Sequence, residues 1–218
     1  PDLVEKVASL PYDVMTSDEA REMAKGNPYS FLHVVKAEID LDPGIELYDK
    51  SIYEKAQDNL NRMIKEGIFV RDNEEYLYIY REAMNGRAQI GLVARTSLDD
   101  YTSGVIKVHE QVCPKKVQDR MNYINYCDAN TGPVFLTYRS QETINTLVNS
   151  WIEAHTPVYD FTADDEIQHT VWRIDDREVI DSLVKLFEAV DSLYIADGHH
   201  RTASAATVGM MRREQNPD

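Results

Sequence analysis

Cysteine is scarce in this sequence. Cys113 and Cys127 are the only two among 218 residues, and they form no C-x-x-C pair. That excludes a disulfide scaffold and predicts two free thiols in a reducing, cytoplasmic setting. Neither has a base beside it in sequence, so neither is expected to be a nucleophile. The glycine fingerprints are missing as well: there is no G-x-x-x-x-G-K-[ST], no G-x-G-x-x-G and no G-x-S-x-G. P-loop, Rossmann-type and α/β-hydrolase readings lose their support. H-E-x-x-H is absent too, which weakens a zinc hydrolase of that type. No apolar run approaches the ~20 residues that a membrane span needs. Positive charge is short: 23 Lys and Arg stand against 38 Asp and Glu, a net charge of −15. A polyanionic nucleic acid is therefore not an expected partner, while one local basic site for a small phosphorylated ligand stays compatible.

What is present is an ordinary globular composition, 43% hydrophobic and 28% charged. Strand and helix patterns interleave with irregular spacing, which predicts α+β, a mixed sheet packed by amphipathic helices, rather than a regular parallel βαβ array. The chain reads as a single unit over 1–218, with room for a subdomain inserted at about 40–170. Val4–Val14, holding Pro11, reads as a strand or strand end. Thr16 and Glu19 spell a capping box for a helix that Gly26-Asn27-Pro28 stops. Phe31–Ile39 alternates weakly and reads as a strand. Ser51–Glu66 is the strongest helix, with Ile52, Ala56, Leu60, Met63 and Ile64 on one face. Tyr76–Arg81 and Ala88–Ala94 flank Asn85-Gly86 and predict a wide hairpin. Leu98–His109 bears a strand. Further helices are expected at Cys113–Ala129, Gln141–Ala154, Arg177–Val190 and Thr202–Arg213. Further strands are expected at Val134–Tyr138, His169–Ile174 and Ser192–Ala196.

The strongest chemical signal lies where the last strand turns into the last helix, Asp197-Gly-His-His-Arg-Thr202. Gly198 permits a tight turn. His199, His200, Arg201 and the Thr202 hydroxyl then sit at a helix N-terminus, an anion-binding corner suited to phosphate. Ala203, Ser204, Ala205 and Ala206 are small enough to let that helix pack close to the sheet. The plainer alternative is a strand-to-helix turn capped by Asp197. A second, weaker signal is His109-Glu110 followed by Lys115, Lys116, Asp119 and Arg120; with Asp197 and His199 it could bind a divalent metal. Asp13 in Pro11-Tyr-Asp-Val14 is either a general base or a helix cap. His33 reads as structural, His155 as solvent-facing, His169 as either. Tyr76, Tyr78 and Tyr80 share one strand face and read as sheet packing.

The chain resembles a bacterial family catalogued as domain of unknown function 1015. The resemblance runs through Pro11-Tyr-Asp-Val14, Asn27–Leu32, Leu77–Arg81, Gly91-Leu92, His109-Glu110 with Lys116 and Arg120, Asn130–Tyr138, His169–Trp172 and Ile195–Arg201. It implies further sequence after Asp218. The Asp-Gly-His-His-Arg turn is also similar to the phosphate-binding motif of the ParB/sulfiredoxin superfamily, and implies a ParB/sulfiredoxin-like core element carrying a large insertion. Sulfiredoxin's reactive Cys falls where this chain has His199, which leaves the free-serine-kinase branch. The expectation is a nucleotide-dependent small-molecule kinase or phosphotransferase using Mg²⁺ and ATP or ADP, acting on a hydroxyl such as that of a free amino acid. Gly198, His199, His200, Arg201 and Thr202 would hold phosphate, and Asp197 and Glu110 the metal. Asp13 or Glu110 would take the hydroxyl proton. A nucleotide-sensing module without catalysis and a metal-dependent hydrolase using His109, Glu110, His169 and the turn are the alternatives. No membrane partner is expected, and a homodimer stays open.

Overall fold

The computed structural model describes residues 3–216. The fold is α+β, with nine α-helices and two sheets among the described residues. The chain divides into two compact units.

The first unit holds Arg71–Ser97 and Tyr138–Leu193, with the first described residues to Glu5. Its sheet has the order β2-β1-β6-β5, from strands β1 (Leu77–Met84), β2 (Arg87–Val93), β5 (Tyr159–Thr162) and β6 (Gln168–Ile174), antiparallel at every pairing. Strand period two sends Ile79, Trp172 and Ile174 to one face. There they join Ile144, Val148 and Trp151 of α7 (Glu142–Ala154) and Ile180 and Leu183 of α8 (Arg177–Glu188) in one core. Both indole N–H groups are satisfied: Trp151 donates to the Arg173 carbonyl at 3.0 Å and Trp172 to the His155 carbonyl at 3.1 Å. The β1–β2 hairpin is tighter than expected. Met84 pairs with Arg87 across a two-residue turn, Asn85-Gly86, whose φ values of 51° and 75° are those of a type I′ turn. Strand β5 carried no sequence signal; it is four residues long and exists by pairing with β6.

The second unit holds Lys6–Val70, Leu98–Thr137 and the segment from Tyr194. Two expected strands are helical. Val4–Val14 contains a one-turn helix α1 (Val4–Val7) and a 3-10 turn at Tyr12–Val14. Phe31–Ile39 contains α3 (Leu32–Val35) and a 3-10 turn at Ala37–Asp40. Short apolar runs do not distinguish strand from buried helix. Here His33 decides locally: its Nδ1 meets Asp40 at 2.9 Å and its Nε2 meets the Asn27 carbonyl at 3.1 Å, contacts that a seven-residue extended span could not close. The capping box of Thr16 and Glu19 is formed and opens α2 (Ser17–Met23). Helix α4 (Lys50–Lys65) is capped by Asp49 and buries Ile52, Tyr53, Ala56, Asn59 and Met63, whereas Ile64 is exposed. Leu98–His109 begins as a short helix, α5 (Leu98–Thr102), before strand β3 (Ile106–Lys107). The second sheet has the order β3-β7-β4, with β4 at Phe135–Thr137 and β7 at Leu193–Asp197. Helices α6 (Pro114–Cys127) and α9 (His199–Gln215) complete the unit.

Candidate functional site

Strand β7 ends at Asp197 and Gly198 turns the chain into α9 with φ 93° and ψ 33°. A Cβ there would sit 3.2 Å from both Arg201 Nε and Val134 Cγ1, so backbone angle and space both call for glycine. A Cβ at Gly132 would likewise sit 3.3 Å from Arg201 Cδ. The Arg201 guanidinium donates to the Pro133 carbonyl at 2.7 Å and pairs with the Asp197 carboxylate. Its side chain is mostly buried, and it closes the turn. Asp197 therefore holds Arg201 rather than capping α9; no side chain caps that helix. The Thr202 hydroxyl is turned inward, donating to the Gly198 carbonyl at 3.0 Å.

Helix α9 lies against α6, and three contacts give the direction. The Cys113 N–H donates to His200 Nε2 at 3.0 Å, Ser204 Oγ to the Val117 carbonyl at 3.0 Å, and Arg212 to Asp128 at 2.8 Å. Rising numbers on one helix meet rising numbers on the other, so the two run parallel with their N-termini side by side. The small residues expected to pack on a sheet thus include one, Ser204, that packs on a helix. The start of α9 presents unpaired backbone N–H groups, whereas at α6 Pro114 has none and those of Lys115 and Lys116 face the Cys113 thiol; both ends carry a positive partial charge.

The side chains there are unusual for a helix start. The first turn of α6 has Lys115 and Lys116 and no acid; the first turn of α9 has His199, His200 and Arg201 and no acid. Cations at this end oppose the helix dipole, at about 0.3–1 kcal/mol each when exposed. The local field shows at Cys113, the residue before α6: the backbone N–H groups of Lys116 and Lys115, then their ammonium charges, hold its exposed thiol below the ordinary value. Sequence reasoning set Cys113 aside; the Cys-Pro step, with Pro114 in the first turn, was the available sign of a helix start.

His199 is buried at 5% exposure. The His109 ring meets it edge-on at 4.4 Å between centroids, and Glu110 Oε2 lies 3.8 Å from its Nδ1. Its Nε2 is buried with no hydrogen-bond partner among the described residues. Such an atom costs about 1–3 kcal/mol and calls for an explanation. His109, Glu110 and His199 are thus brought together, while His169 belongs to the first unit, bonded to the Tyr80 hydroxyl at 2.6 Å and stacked on Phe161. Among the described residues no group of three or more His, Cys, Asp or Glu side chains is placed to hold a metal ion.

Asp13 is exposed on its 3-10 turn. Its neighbour Tyr12 lies 4.2 Å from the Arg120 guanidinium and 6.0 Å from that of Arg201, which ties the Pro-Tyr-Asp segment to the β7–α9 turn. Arg120 is structural: it pairs with Asp119 and stacks also on Tyr123, and Asp119 accepts from Tyr53 at 2.8 Å. Burial pushes the Tyr53 hydroxyl up to about 12.

Comparison with family models gives a match over residues 1–218 to the family described as protein of unknown function (DUF1015). The chain belongs to this family. Neither the curated proteins nor the solved structures give a match to it. No helix among the described residues is long and apolar enough to cross a membrane.

Proposed function

We propose that this member of the family binds a nucleotide by its terminal phosphates at the paired N-termini of α6 and α9, and transfers a phosphoryl group to a small-molecule hydroxyl. The observation that carries the reading is the pair of parallel helix starts, neither with an acid in its first turn and that of α6 carrying Lys115 and Lys116. Two positive helix ends with the Lys115 and Lys116 ammonium groups, and with the His199 and His200 rings beside them, make a built counter-charge for phosphate, in a chain whose overall charge of −15 attracts none. Phosphoryl transfer asks mainly for positioning and charge stabilisation, which this arrangement supplies. Mg²⁺ fits such a site as an ion carried on the phosphates with water and one or two carboxylates, Glu110 and Asp197 being the candidates. Zinc held by a protein cage fits the donor set less well. Arg201 serves by shaping the turn, and Asp13 or Glu110 is the carboxylate for the acceptor proton. The similarity of the turn to the ParB/sulfiredoxin motif suggests a free amino acid such as serine as acceptor.

The test is thermal stabilisation by ATP and by ADP, each with and without Mg²⁺, on the wild-type chain and on the double variant Lys115→Glu, Lys116→Glu. A ligand at 100 times its dissociation constant adds about 2.7 kcal/mol. The expected result is a rise in melting temperature with nucleotide that the double variant loses. No rise with either nucleotide, or a rise that the variant keeps in full, overturns the reading.

A further inference from the structure

The unpartnered nitrogen of His199 asks for more than phosphate binding. The ring stands at the first position of α9 and is 5% exposed. Its Nδ1 faces the Glu110 carboxylate at 3.8 Å, so the tautomer matching this surrounding carries its proton on Nδ1. That leaves a lone pair on Nε2, the atom without a partner among the described residues. The neighbouring His200 is different: its Nε2 is already occupied by the Cys113 N–H at 3.0 Å. Two histidines adjacent in sequence thus have one nitrogen satisfied and one free.

We propose that Nε2 of His199 is a phosphoryl acceptor, giving a phosphohistidine at the start of α9. The inference rests on the nucleotide reading above. The Nε2 lone pair attacks the terminal phosphorus of the nucleoside polyphosphate. The bond from that phosphorus to the bridging oxygen breaks, and the shortened nucleotide leaves with the electron pair. The ring, now bonded at Nε2, passes its Nδ1 proton to Glu110. In the return step the proton comes back to Nδ1, an acceptor hydroxyl oxygen takes the phosphorus, the N–P bond pair returns to Nε2, and the hydroxyl proton goes to Asp13, the carboxylate left free for it. The added negative charge arises beside two positive helix ends and Lys115 and Lys116, where the field favours it. Phosphorus reaches the buried Nε2 only when a neighbour turns aside, and that movement is assigned to His109, which is exposed and packed edge-on against the ring.

The experiment incubates the full chain with Mg²⁺ and either [γ-³²P]ATP or [β-³²P]ADP, without an acceptor, beside the thermal-shift measurement on the same samples. Label that is stable to alkali, lost in acid, and mapped to His199 by mass spectrometry of the wild-type protein is the expected result. Glu110→Gln should slow labelling at least tenfold. His109→Ala should label at least as fast as wild type. Nucleotide-dependent stabilisation with no label, or with label at His109, His200 or a hydroxyl residue, overturns the phosphohistidine and leaves the binding reading standing. Neither stabilisation nor label overturns both. Glu110→Gln labelling at the wild-type rate removes Glu110 from the step.

Discussion

Helices α8 and α9 start in opposite ways. In α8 the Asp176 carboxylate accepts from the N–H groups of Glu178 and Val179, Glu178 adds negative charge in the first turn, and Lys185 sits in the last. Each feature agrees with the helix dipole. In α9 the N-cap is a glycine without a side chain, and the first turn reads His-His-Arg. The comparison extends to the units that hold them. The first unit leaves Nε of Arg81 and Arg173 unbonded, but each guanidinium makes another hydrogen bond, to Thr170 and Asp175. In the second unit the orphan is the Nε2 of a buried histidine. The start of α8 has a capping carboxylate and an acid in its first turn, beside Arg177, which pairs with Asp181; the start of α9 has neither cap nor acid.

The comparison can be broken most forcefully in the core of the first unit. Trp172→Ala removes a side chain 4% exposed together with its bond to the His155 carbonyl, and should cost about 3–5 kcal/mol in urea unfolding. A loss under about 1 kcal/mol would mean that this core does not carry the unit's stability. Next in size is the double lysine variant. Lys115→Glu with Lys116→Glu should erase the ligand shift of about 2.7 kcal/mol. It should also stabilise the free protein by about 0.3–1 kcal/mol per residue, because the new charges agree with the α6 dipole. A destabilised free protein would contradict this. Asp176→Ala should cost about 1 kcal/mol, the usual worth of a cap, with ligand binding untouched. The smallest signal is in pH. Burial, ahead of neighbouring charge, pushes Tyr80 in the first unit and Tyr53 in the second up to about 12. A raised acid keeps its proton longer in the folded state, so the unfolded state binds fewer protons between pH 10 and 12 and stability falls as pH rises through that window. Stability that is flat from pH 10 to 12 would show these hydroxyls to be solvated.

Legibility in the sequence followed the range of the interactions. Helices α4, α7 and α8 repeat apolar residues at helical spacing, and the Thr16–Glu19 capping box spans three residues, so a linear reading finds them. Asn85-Gly86 marked the hairpin, though its width was misjudged because Met84 and Arg87 pair directly. Phe31–Ile39 misled because six apolar residues spread over nine positions fit either period; the decision came from His33 bonding to Asp40 and from Asn59, 26 residues away, bonding to the His33 carbonyl. The Gly-His-His-Arg turn stood out in the sequence as a cluster, and its place between β7 and α9 was legible there. Its partner was not: Cys113 and His200 are 87 positions apart, and nothing local announces that α6 and α9 run parallel. The bond of Arg201 to the Pro133 carbonyl, 68 residues earlier, was likewise out of reach of a linear reading.

The most direct measurement is a titration of ¹⁵N-labelled protein with Mg²⁺ and ATP, followed through the backbone amides of both helix starts. The account predicts that the amides of Lys115, Lys116, His199 and His200 move together, with one dissociation constant, while those of Glu178 and Val179 at the start of α8 stay still. Shifts confined to α8 or to the sheet of the first unit, or no shift at saturating nucleotide, would contradict it.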